Sequence, residues 1–405
     1  MRKAVWVLLL LYVFTIPWEY SLDLGVPFGN IARIFGVALL IAALPAMAQA
    51  SHFRTLGALQ WLTLALFLWL TCTCLWSPDI SITWAKLRGY VQEMMIVWLL
   101  WEFADTPRDL QAIVRAWLAG STVLAALTIA NSWSAEAIAA GQIRFTAIGV
   151  DPNDAARFLD LGFPLAALLM VQEVNWPARM LAVGYFPLGI AAVLLTASRG
   201  GFVAALVAVL GCAIILRRES FRSLLAACFA LPIAGFAAWH LIPRETLNRI
   251  ATIDDQIYGG DLNQRLNIWE AGWRAFASEP FFGHGAGSFV SAAGLASIDT
   301  AHNTALSILV EAGICGFLLT FAIVTVSTHS VLRMRGTVRM ALLTLITVWV
   351  VSSLVGTVIE SRTTWLMFGT IALAARFTTR QETRRVRMSV STDGLPVDTT
   401  AARAQ

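Results

Sequence analysis

Residues 243–303 read PRETLNRIATIDDQIYGGDLNQRLNIWEAGWRAFASEPFFGHGAGSFVSAAGLASIDTAHN. The stretch is polar by the standard of its surroundings and gathers Arg244, Arg249, Arg265, Arg274, His284 and His302 into one segment. On either side of it the chain is a succession of apolar runs. A long polar loop between two such runs predicts helices that cross a bilayer and a loop that leaves it.

Composition supports that division. Of 405 residues, 58% are hydrophobic and only 13% charged, where a soluble chain carries about a quarter charged. Apolar runs of about 18 residues or more are long enough to cross roughly 30 Å of hydrocarbon. Runs at 4–18, 31–49, 57–76, 87–104, 109–130, 156–173, 178–197, 201–216, 223–242, 304–328, 338–358 and 363–377 predict about twelve transmembrane helices. The fold class is thus an all-α polytopic integral membrane protein. Its one large periplasmic loop, about 243–303, contains an amphipathic helix. A membrane barrel needs short alternating strands instead.

Orientation follows from the basic residues. Arg2, Lys3, Arg54, Arg108, Arg179, Arg217, Arg218, Arg333, Arg335 and Arg339 fall on one side of this count, with Arg380 and Arg384 in the tail. By the positive-inside rule that side is cytoplasmic. Residues 1–377 form one transmembrane domain, and 378–405 are expected to be a disordered cytoplasmic tail. Met1-Arg2-Lys3 and the apolar run after it are read as an uncleaved first helix, because Trp18-Glu19-Tyr20 stand where small cleavage-site residues belong.

Some classes are disfavoured. The net charge of +4 is spread over membrane flanks, so no nucleic-acid partner is expected. Cys72, Cys74, Cys212, Cys228 and Cys315 lie in or beside apolar runs, with no redox C-x-x-C among them. No carboxylate–histidine cluster marks a metal site, with Glu19 and Asp23 the best case for one. No cofactor is expected.

The outer side nevertheless carries Lys86, Arg88, Arg144, Arg157, Arg199, Arg265 and Arg362. Topology disfavours cations there, so an anionic ligand is one explanation; pairing with Asp151 or Asp154 is the other. Arg199 stands in TASRGG at a predicted helix start, where backbone N–H groups and the helix dipole both attract anions. Arg265 opens a helical pattern in which Leu262, Leu266, Trp269, Trp273 and Phe276 form the apolar stripe. The following G-x-G-x-G at 283–287 lacks a preceding strand, is no nucleotide fingerprint, and reads as a mobile turn. His302 precedes the run beginning at Ala305, with Thr300 or Asn303 as cap. A helix N-terminus there keeps the imidazole neutral. Glu311 is an intramembrane carboxylate, expensive unless paired or functional, but reads as too deep to act as a base.

TASRGG, NQRLNIWEAGWRAFASEPFFGHGAGSF and AHNTALSILVEAGICGF, in that order over about 195–317, resemble the O-antigen ligase and polymerase superfamily of bacterial envelope glycosyltransferases. The resemblance implies an O-antigen ligase in the inner membrane with its active site facing the periplasm. Its donor is a glycan on undecaprenyl diphosphate and its acceptor is lipid A-core, with membrane lipid around both. Arg199, Arg265 and His302 match the family's functional positions. Lys86, Arg88 and Arg144 are the weaker substrate-binding candidates. Arginines neutralise a diphosphate leaving group by bidentate contacts, which makes a metal-independent, inverting transfer the expected chemistry. An O-antigen polymerase of the same superfamily is the nearest alternative. A lipid-linked glycan transporter or flippase is the alternative from another class, although no inverted repeat is visible.

Overall fold

The computed structural model describes residues 2–25, 29–49, 53–219, 225, 242–251, 264–296 and 299–392. The expected span at 223–242 and the middle of the long loop, 252–263, fall essentially outside the described residues. Each of the other expected spans coincides with a helix: α1 Arg2–Thr15, α2 Ile31–Ala48, α3 Ala58–Cys72, α4 Ile80–Phe103, α5 Pro107–Ser132, then a short α6 Ala135–Ala139, α7 Pro152–Gln172, α8 Trp176–Leu195 and α9 Arg199–Glu219. After α10 Arg244–Ala251, α11 Arg265–Ser278 and α12 Phe289–Ala292 come α13 Thr304–Leu332, α14 Gly336–Leu354 and α15 Arg362–Thr392. Among the described residues, 8 helices are long and apolar enough to cross a membrane, and no strand is present beyond an isolated bridge between Asp23 and Asn30. This is a polytopic all-α membrane protein.

Helix ends sit where capping chemistry puts them. Thr106 and Asp109 form a capping box ahead of α5, with Pro107 in the first turn, satisfying N–H groups the helix leaves unpaired. Asp79 caps α4 through the N–H groups of Ser81 at 2.9 Å and Ile82 at 3.2 Å. That cap starts the helix well before its apolar run. Lys86 and Arg88, expected in or beside a loop, therefore lie inside α4. The last helix likewise runs past its expected end near 377 to Thr392.

One end of the bundle is built on the last carbonyls of α4. Arg2 Nη2 donates to Glu102 O at 2.9 Å, Arg54 Nη1 to Trp101 O at 2.8 Å, and Arg376 Nη1 to the same carbonyl at 2.6 Å. Cations at a helix C-terminus meet both unpaired carbonyls and the negative end of the dipole. Lys86, near the start of the same helix, lies about 24 Å away at 1.5 Å per residue. These basic residues and the polar site described below thus occupy opposite ends.

The core centres on α7, whose residues from Phe158 to Met170 are all buried. A helix apolar all round is one surrounded by others, and α5, α8, α9 and α14 pack against it. Its first turn is thereby fixed at the site end.

Helix α13 is broken at Gly313, which has φ 65° and ψ −170°. In hydrocarbon such a break stands only if its freed backbone groups find partners. Residues 280–287 supply them. His284 N donates to Val310 O at 2.8 Å and Gly285 N to Glu311 O at 2.9 Å, while Ile314 N donates to Pro280 O at 2.8 Å. Gly283 passes so close that a Cβ there would lie 2.5 Å from Gly313 N. The indoles of Trp69 and Trp76 clamp the crossing through Ala312 O at 2.9 Å and Gly283 O at 3.0 Å. The G-x-G-x-G segment is therefore a packed clasp, not the mobile turn expected from its glycines.

Helix α11 lies across the first turns of α13 with Ile268, Ala271, Gly272 and Ala275 buried. Trp269 and Phe276 pack at the edge of this face against Leu306 and Val310. Leu266 and Trp273, expected on the buried stripe, are 48% and 54% exposed. Small residues won the interface because they let the two helices approach: a Cβ on Gly272 would lie 2.9 Å from Leu306 Cδ2.

Candidate active site

At the end of the bundle away from Arg2 and Arg54 is a cavity of about 490 Å³, lined by α4, α7, the clasp, the strand of chain before α13, and the 355–360 loop. His302, Arg157, Lys86, Glu311 and Glu360 all face it. Of the expected site residues, His302 and Lys86 line this cavity, whereas Arg199, Arg265, Arg144 and Arg88 do not.

Asn303 sets the position of His302. Its side chain accepts from Leu306 N at 2.9 Å and caps α13, so His302 is the residue just before the cap. Trp269 Nε1 donates to Ala301 O at 3.0 Å, tying the same turn to α11. The imidazole is half-buried and within 3.2 Å of the Thr300 hydroxyl. Burial, then the neighbouring Arg265, hold its pKa below the ordinary value; Asp151 pulls the other way, and Arg157 adds to the depression. The ring is thus neutral at neutral pH and free to accept a proton.

Arg265 is the first residue of α11 and half-buried. Its own pKa is lowered by burial; Asp151 opposes this and Arg199 adds to it. An arginine stays charged through such a shift, and the couplings show that Arg199, Arg265 and His302 share one electrostatic neighbourhood. Arg199 is the first residue of α9. The turn before it is held by Arg144, which donates to Thr196 O at 3.2 Å and Asn153 Oδ1 at 2.9 Å. Ser198 Oγ donates to the same Asn153 oxygen at 2.9 Å. Arg144 thus has a positioning contact with the Arg199 turn. Arg88 is exposed on the far side of α4 from the cavity.

Among the described residues the positive-φ non-glycines are Ala197 at 47°, Gln264 at 63° and His302 at 46°. Each is at, or within two residues of, Arg199, Arg265 or His302. The left-handed region costs an L-residue about 1–2 kcal/mol, and such strain persists where surrounding structure over-determines it. The backbone is distorted at the three motif positions and not elsewhere among the described non-glycine residues.

Sequence reasoning placed Arg157 only as one outer cation and did not single out Glu360. Arg157 is ion-paired with Asp154, as the pairing alternative expected, whereas Lys86 pairs with Glu360, an acid that alternative did not include. Glu311, expected to be too deep to act as a base, reaches the cavity and accepts Gly287 N at 2.8 Å on Oε2. The break at Gly313 and the clasp open the cavity that far down. Glu19 pairs with Arg362, and Asp23 caps the turn at Gly25 N, 2.9 Å away. No group of three or more His, Cys, Asp or Glu suited to a metal occurs among the described residues. Cys72, Cys74, Cys212 and Cys315 are free thiols.

No curated protein and no solved structure matches the chain. A family model does match, over residues 184–321, and it is described as O-antigen ligase. The family covers O-antigen ligases and polymerases, membrane enzymes of the glycosyltransferase kind. The matched segment runs from within α8 to within α13 and carries Arg199, Arg265, His302, the clasp and Glu311, so this half of the site lies in the stretch that is similar to the O-antigen ligase family.

Proposed function

We propose that the protein is an O-antigen ligase. It transfers a glycan from undecaprenyl diphosphate to lipid A-core at the periplasmic face of the inner membrane. Residues 1–377 form its transmembrane domain and 378–405 its cytoplasmic tail. The observation that carries this reading is the neutral His302 on a cavity wall with Arg265 beside it and Arg199 beyond.

In the transfer, an acceptor hydroxyl attacks the anomeric carbon and its proton passes to His302. The bond from that carbon to the diphosphate oxygen breaks, and the electron pair leaves on the diphosphate. Arg199 and Arg265 balance the charge that develops there by bidentate, permanently charged contacts. Attack opposite the leaving group inverts the anomeric centre. No protein–sugar bond forms, so no nucleophilic side chain is required. The polyprenyl chain stays in lipid throughout.

Incubating the purified protein with undecaprenyl-diphosphate glycan and rough lipopolysaccharide tests the reading. A glycan-sized increase in the lipopolysaccharide is the expected product. A longer polyprenyl-linked glycan identifies a polymerase instead, and the absence of any new covalent product leaves the transporter.

A further inference from the structure

The inner wall of the cavity differs in chemistry from the arginine side. Two carboxylates, Glu311 and Glu360, face it with two cations that are already paired, Lys86 with Glu360 and Arg157 with Asp154. Glu311 is only 5% exposed and is fixed by the Gly287 N–H at 2.8 Å. Among the described residues, such a wall holds no cation left over for a diphosphate. Two hydroxyls complete it. Ser307 is 3% exposed and lines the cavity, and its side chain meets no hydrogen-bonding partner among the described residues. Thr357 lines the same cavity, and its Oγ1 is likewise buried without a partner. A buried hydroxyl left unpaired costs stability, so Thr357, with Ser307 on the same polar cavity, marks a surface that an entering group can satisfy. Fixed carboxylates that accept, beside hydroxyls that donate or accept, are the complement of a polyhydroxylated ring.

We propose that Ser307, Thr357, Glu311 and the Lys86–Glu360 pair form the subsite for the accepting sugar, binding it through its hydroxyls. His302 borders this cavity while Arg199 and Arg265 lie outside it. The imidazole thus borders the acceptor cavity and also feels the charge of Arg265, which suits a base that takes a proton from one substrate as the other departs. The assignment rests on the glycosyl-transfer reading.

Ser307→Ala and Thr357→Val remove the unpaired hydroxyls and break no bond within the protein. Each should raise the acceptor KM for rough lipopolysaccharide about 3–10-fold, the effect of one lost neutral hydrogen bond. Direct binding of undecaprenyl diphosphate should be unchanged. Glu311→Gln tests the carboxylate, but it also weakens the clasp, so the two hydroxyl variants decide. A rise in donor KM instead, with acceptor KM unmoved, makes this a donor-sugar subsite and overturns the proposal. If neither constant moves, the hydroxyls hold only water. Binding of deacylated core oligosaccharide to the same variants separates the subsite from the reaction. Should the wild-type protein transfer no glycan yet bind this probe, with the variants binding more weakly, the ligase reading falls and the subsite stands. Should wild-type transfer proceed while probe binding and KM are untouched by both variants, the subsite falls alone.

Discussion

Trp269 donates its indole N–H to the carbonyl of Ala301 at 3.0 Å. That bond joins the helix carrying Arg265 to the residue before His302, across a connection that leaves and re-enters the bundle. The two proposed site residues are thereby tied to one another through a third residue that need not touch substrate. Trp269→Phe keeps most of the packing and deletes the donor. We expect a modest loss of stability, about 1 kcal/mol, with a larger fall in kcat than in donor affinity. Kinetics beside a melting curve will show whether activity falls further than stability alone requires.

The depressed His302 pKa has a defined consequence for pH dependence. In the proposed mechanism its neutral form is the base, and the shift is downward, so the neutral form persists into more acidic solution than for an ordinary histidine. Transfer by the wild-type protein should stay flat from pH 8 down through about 6.5, the usual histidine value, and decline only below it. His302→Ala should transfer about 10²–10⁴-fold more slowly, lose that acidic limb, and still bind undecaprenyl diphosphate. A variant whose residual rate keeps the wild-type profile would reassign His302 to phosphate binding.

Arg199→Ala and Arg265→Ala should each abolish transfer with the protein still folded. Lysine at either position should recover only part of the rate, since an ammonium lacks the planar fork that engages two phosphate oxygens. Near-normal turnover in either alanine variant would remove that arginine from the diphosphate site. Arg144→Ala should act less directly, by loosening the Thr196–Ser198 turn, and should lower the melting temperature as well as the rate.

Transfer should proceed in excess EDTA, because the two arginines supply the positive charge. Loss of activity on chelation, with recovery on adding magnesium or manganese, would bring Glu19 and Asp23 back into consideration.

The clasp makes a stability prediction independent of function. Gly283 has φ 71° and faces the backbone of Ala312 and Gly313 at 2.7 and 2.5 Å from a built Cβ. Gly283→Ala combines an unfavourable backbone region with a clash against backbone, which should cost at least about 2 kcal/mol. The purified variant should unfold at lower temperature in detergent, and an unchanged melting temperature would contradict the packing described.

The sequence by itself determined the class of the molecule. Apolar runs of spanning length have one physical outcome, and Asn303 marks the start of α13 in the local chain. It also placed Arg199, Arg265 and His302 at or just before helix starts, where the structure has them. Hydropathy could not find the true start of α4, since a capping aspartate, not apolarity, sets it, and so it misplaced Lys86 and Arg88. What only the tertiary structure decided was depth and company. Glu311 reaches the cavity because a distant segment, 280–287, takes over the backbone bonds freed at Gly313. Ser307 and Thr357 become interesting only once both are seen facing the same cavity without partners. Pairings such as Lys86 with Glu360 depend on residues remote in the chain. Local pattern carries helices and caps; long-range packing decides which polar groups are satisfied and which are left for a ligand.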